Sequence, residues 1–197
     1  MQATSKIPSL CACCAVSMLG SAALLAQESA PAIAGQDTEQ SSKTPLNNSP
    51  LVQKVRNATA RFRDINVAIK EGWVQGTPCV SGPMFGAMGV HFIMPSRIGD
   101  GVLNADEPES LLYEPQSDGS FRLLGVEFIV LQKDWDGMHT DGAPAAVEGH
   151  LTNLVGEPNR YRLPAFYELH VWAWERNPVG SFADWNTRIS CARLPLD

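Results

Sequence analysis

Two histidines and two glutamates stand in the middle of otherwise apolar runs: His91 in "MGVHFIMP", Glu127 in "LLGVEFIV", and Glu168 with His170 in "AFYELHVWAW". Each run is rich in β-branched and aromatic residues, the composition of a strand. Residues two apart on a strand share a face, so Glu168 and His170 project together with Phe166, Trp172 and Trp174, and Tyr167, Leu169, Val171 and Ala173 take the other side. The same parity groups Glu127 with Leu123, Gly125, Ile129 and Leu131, and His91 with Gly89 and Ile93. Both faces of these strands are apolar. The ionisable groups are therefore expected to be buried, and a buried carboxylate needs a hydrogen-bonding partner, a metal or a shifted pKa.

Two imidazoles with one or two carboxylates make a ligand set for one divalent ion of Fe, Mn, Zn or Cu. The expected metal ligands are His91, Glu127, Glu168 and His170, in a pocket lined by Phe166, Trp172 and Trp174. Glu127 and Glu168 are also the expected catalytic residues, the carboxylate left free of the ion acting as general base. The aromatic lining suits a small, partly apolar molecule, and the chemistry would be that of a metal-dependent oxidoreductase or hydrolase. Two other readings fit the same residues. One is a non-catalytic metal- or ligand-binding protein; the other is a metal-free Glu–His network that holds the sheet in register. No compact motif such as H-E-x-x-H chooses among them.

Other clusters argue less. Met88, His91 and Met94 have the spacing of a methionine-rich copper site, but strand parity puts His91 opposite both methionines. "DWDGMHTDG" gathers Asp134, Asp136, His139 and Asp141 without the ligand order of a calcium loop. His150 is a reserve ligand. Asn177, Trp185 and Asn186 could rim a pocket but sit in ordinary turn chemistry, and Tyr161-Arg162 carries no positional argument. There is no G-x-S-x-G elbow, phosphate loop or dinucleotide fingerprint.

The elements that must hold these residues follow from hydrophobic period. Leu51, Val55, Ala58, Phe62, Ile65 and Ile69 form a helical stripe that predicts one long helix between the Ser49-Pro50 start and the Gly72 stop. Beyond it come short strands, among them a hairpin in "LLYEPQSDGSFRLLGVEFIVLQ" with its turn in 115–120, and long loops over 95–110 and 133–163. The predicted fold class is α+β, mainly β: an antiparallel sheet or small barrel or sandwich, with the N-terminal helix packed on it.

The first 34 residues carry Lys6, the apolar run "IPSLCACCAVSMLGSAALLA" and small residues suited to cleavage, the layout of a secretory signal peptide. Residues 35–50 read as a disordered tether, and 51–197 as a single domain. The chain carries a net charge of -6, with no basic stripe for nucleic acid and no polybasic segment for a membrane surface. A periplasmic or secreted location follows, with no membrane association beyond the signal segment. Of five cysteines, three lie in that segment, leaving Cys79 and Cys191 as an even pair expected to form a disulfide in an exported chain.

Together "MGVHFIMP", "LLYEPQSDGSFRLLGVEFIV" and "YELHVWAWERNPVGSFADWNTRISC" resemble a family of exported bacterial proteins of uncharacterised activity. The likeness covers about residues 55–191 and implies a recurring unit ending at Cys191. A weaker likeness is to cupins, barrels whose strands supply His and Glu to one metal; Glu168-x-His170 only imitates their H-x-H pair.

Overall fold

The computed structural model describes residues 47–192, so the expected signal peptide and most of the expected tether lie outside the described residues. The chain enters through α1 (Pro50–Thr59), a 3-10 turn (Ala60–Arg63) and α2 (Ile65–Lys70). Strands β1 (Val74–Gln75), β2 (Val80–Gly82), β3 (Gly86–Ile93), β4 (Ser110–Pro115) and β5 (Phe121–Leu131) follow. Then come α3 (Gln132–Met138), β6 (Ala146–Val147), β7 (His150–Leu151), β8 (Asn153–Val155) and β9 (Phe166–Val171). The principal sheet is antiparallel with strand order β1-β3-β4-β5-β9-β8, and β2 also pairs with β3. The mainly β expectation holds.

The single long helix does not. Its stripe is split by the turn at Ala60–Arg63 and by Asp64, which is extended and starts α2 by accepting a hydrogen bond from the Asn66 N–H. Tertiary contacts compete with the helix here. The Phe62 carbonyl accepts from the Tyr113 hydroxyl at 2.7 Å, and the Thr59 hydroxyl donates to the Val55 carbonyl while accepting from the Trp174 indole. Helix period alone does not weigh such partners. The expected loop over 133–163 likewise contains α3 and three short strands.

Both faces of the sheet are covered. Leu51, Val52, Val55, Phe62 and Trp73 pack on one face, against Val90, Phe92, Leu111, Tyr113, Val126, Phe128, Leu169 and Val171. The other face carries Leu112, Leu124 and Trp172, packed with Ile189 and Cys191 of the C-terminal segment. Leu123 and Val126 share the helix side although strict parity separates them, because the register shifts between Leu112 and Tyr113. Leu112 pairs with Gly125 and Tyr113 with Leu123, so Leu124 is the extra residue of a bulge. Leu123, expected beside Glu127, is thereby turned to the opposite face.

Cys79 and Cys191 form a disulfide across 112 positions. It ties the β2 strand to the last described turn. Replacing both by serine is expected to cost about 3–5 kcal/mol, the chain-entropy value for so long a loop. Urea unfolding of the variant beside the oxidised protein measures it.

Candidate functional site

The alternation of β3, β5 and β9 puts His91, Glu127, Glu168 and His170 on the face away from the helices. Register brings them abreast: Glu127 lies opposite His170 and Ile129 opposite Glu168, and β4 separates β5 from β3. All four are buried. The three elements converge because each polar residue is flanked by apolar neighbours that fix which way it faces.

His91, Glu127 and His170 form a group that could hold a metal ion, their ligand atoms lying within 4.8 Å of one another. The His91 Nε2 is 3.4 Å and the His170 Nε2 4.0 Å from the same oxygen, Glu127 Oε2. Each ring is held from behind. The Thr77 hydroxyl meets His91 Nδ1 at 3.0 Å and accepts the His91 backbone N–H, while Asp184 lies 3.6 Å from His170 Nδ1. With the His91 Nδ1 proton given to Thr77 and the Nδ1 side of His170 turned toward the Asp184 carboxylate, both Nε2 atoms face Glu127, the arrangement by which outer partners orient histidine ligands. His91 Nε2 and both ring nitrogens of His170 are buried with no hydrogen-bond partner. Such atoms need an explanation.

Glu168 does not complete that group. Arg160, from the loop between β8 and β9, is inserted between the two carboxylates and donates to both Glu127 Oε1 and Glu168 Oε2. Glu168 belongs instead to a second cluster with His170 and Asp184. The neighbouring Tyr161 hydroxyl donates to Glu127 Oε2. Arg160, Tyr161, Thr77 and Asp184 are the site residues the sequence did not reveal. They come from loops, where no periodicity marks the direction of a side chain.

Of the expected pocket residues, Phe166 lies beneath Tyr161 and Arg160, and Trp172 stacks beside His170 with ring planes 17° apart. Trp174 is on the other face. Strand β9 ends at Val171, and the N–H groups of Trp174 and Glu175 both donate to the Leu124 carbonyl. Parity is lost there, and the Trp174 indole reaches Thr59 among the helices at 3.0 Å. Elsewhere His150 packs on Phe182, and His139 stacks on Trp135.

Burial, the His170 ring and Arg160 hold the His91 imidazole well below its ordinary pKa, so it is neutral. Burial and then Glu127 push the Tyr161 phenol well above its usual range. Burial opposes the Arg160 charge, but Glu127 and Glu168 outweigh it. Asp184 is held below the usual carboxylate range, chiefly by the His170 ring beside it.

Glu168 is raised from 4.5 to about 8 by burial and by the Glu127 charge. A carboxyl that binds its proton more tightly folded than unfolded stabilises the fold fully below its unfolded pKa. That contribution fades as pH rises from about 4.5 through about 8. The metal-free protein is therefore expected to lose about 2–4 kcal/mol across this window. Glu168→Gln should flatten the slope, as read by urea unfolding at a series of pH values.

What these elements define is a mainly antiparallel β domain with a buried His–Glu–His group under an Arg–Tyr loop. Comparison with protein-family models, with curated proteins and with solved structures found no match. Among the described residues no helix is long and apolar enough to cross a membrane.

Proposed function

We propose that this is an exported domain that holds one transition-metal ion through His91 Nε2, Glu127 and His170 Nε2. The observation that carries this reading is the set of buried, unpartnered ring nitrogens around one carboxylate oxygen. Donors about 2.1 Å from a common ion stand roughly 3–3.5 Å apart. His91 and Glu127 already meet that spacing at 3.4 Å, and His170, at 4.0 Å, needs only a small approach. Charge agrees. Glu127 and Glu168 share a single guanidinium, Arg160, and Asp184 stands behind His170; with Arg160, a divalent ion between the two imidazoles would balance all three carboxylates when ionised.

Two histidines and one carboxylate leave coordination positions open, where such an ion would serve as Lewis acid or oxygen-activating centre for a small molecule. Arg160 and Tyr161 cover the ligand group and hold Glu127 in place. Export to the periplasm or beyond is supported by the leader-like composition of residues 1–34, by the Cys79–Cys191 bridge and by the resemblance to exported bacterial proteins.

Elemental analysis of the untagged protein, produced from the full chain and beside His91→Gln/His170→Gln, tests the reading. One ion per chain is expected, absent from a variant that still folds. If neither binds Fe(II), Fe(III), Mn(II), Cu(II) or Zn(II) on reconstitution, the reading is lost and the cluster is a metal-free polar network.

A further inference from the structure

The oxygen atom at which the two histidines point has a third neighbour. The Tyr161 hydroxyl donates to Glu127 Oε2, the same atom that lies 3.4 Å from His91 Nε2 and 4.0 Å from His170 Nε2. Two imidazole nitrogens and a phenol oxygen thus converge on one carboxylate oxygen. Resting on the metal reading above, we propose that Tyr161 is a fourth ligand to the same ion, and that its phenolate directs the site toward an oxidised, hard cation, ferric iron before zinc.

The phenol is held in place by more than the Glu127 contact. Its ring meets the His91 ring edge-on, with centroids 5.5 Å apart, and packs on Phe166 at 5.8 Å. Its oxygen is 3.4 Å from the Ser110 hydroxyl. The loop beneath is stapled by Asn159, whose side-chain oxygen accepts the N–H of Tyr161 and of Leu163 and whose amide donates to the Leu163 carbonyl at 2.7 Å. A ligand delivered by so fixed a loop needs little rearrangement. The Arg160 guanidinium lies 5.1 Å from the Tyr161 ring centroid and would steady negative charge on the phenolate oxygen.

On coordination the Tyr161 O–H bond breaks, an oxygen–metal bond forms and the proton leaves to solvent, with no change of oxidation state. A trivalent ion with the phenolate gives the same charge balance as a divalent ion with the phenol intact. Hard anionic oxygen favours Fe(III) over the softer alternatives, and a phenolate bound to Fe(III) absorbs visible light by charge transfer, which one bound to Zn(II) does not.

The test loads the metal-depleted full chain with Fe(III) as its citrate complex, counts bound iron, and records visible absorption and resonance Raman spectra beside Tyr161→Phe. A visible band carrying tyrosinate ring modes is expected in the unchanged protein. Tyr161→Phe should keep iron, bind it at least about tenfold more weakly and lose the band. The chain has only three tyrosines. Tyr113 donates to the Phe62 carbonyl and Tyr167 to Asp136, so ring-deuterated tyrosine in the unchanged chain reports on Tyr161 even if the variant fails to fold. Stoichiometric iron without the band, a band that survives in Tyr161→Phe, or binding of Zn(II) but not Fe(III) would overturn the role of Tyr161 and leave the metal site standing. Failure to bind any metal would remove both.

Discussion

Glu127→Ala is expected to lower the unfolding free energy of the metal-free protein by about 3–5 kcal/mol, the usual cost of breaking a buried ion pair from one side. The Glu127 side chain is wholly buried and accepts hydrogen bonds from Arg160 and Tyr161. Its removal leaves the Arg160 guanidinium, only 16% exposed, with Glu168 as its remaining site carboxylate. Glu168 would then lose the charge that helps raise its pKa, so the pH slope assigned to it should shrink as well. Glu127→Gln keeps the volume and one acceptor and should cost less. Urea unfolding in the presence of a chelator measures both variants. A cost for Glu127→Ala under about 1 kcal/mol would show that Arg160 swings to solvent and that the loop it anchors is not held by this pair.

Gly125→Ala should be nearly as damaging, by about 3 kcal/mol or more, although it adds a single methyl group. A Cβ at Gly125 would stand 2.1 Å from the Val171 carbonyl oxygen and 3.0 Å from its carbon. Both are backbone atoms of the neighbouring strand. Relief requires β9 to move away from β5, and His170 moves with Val171. Weakened metal binding should therefore accompany the lost stability, read by metal titration of whatever folded fraction remains. Gly137→Ala is the control: that position is exposed in α3 with nothing within 4 Å, so alanine there should be neutral or stabilise by up to about 1 kcal/mol.

The two substitutions bracket what could be read from the chain. Glu127 stood out because an acid in the middle of an apolar strand is costly unless something meets it, and period two told which neighbours shared its face. Period two also placed Gly125 on that face. That its bulge reverses the parity of Leu123 depends on pairing with Leu112 and Tyr113, which neither strand encodes by itself. Trp174 was misplaced for a related reason, since β9 stops at Val171 and alternation stops with it. The helix stripe of residues 51–69 was real, but the partners that break it, Tyr113 and Trp174, are more than fifty residues away.

By itself the sequence determined the mainly β architecture, the Cys79 and Cys191 pair, and the burial of His91, Glu127, Glu168 and His170 on apolar strands, because alternation and composition are local properties. Only the tertiary structure decided that Arg160 would part Glu168 from the other three, that Tyr161 would share the oxygen the histidines face, and that Thr77 and Asp184 would stand behind the rings. Those four residues lie on loops, and a loop side chain takes its direction from the surface it lands on rather than from any repeat in its own segment.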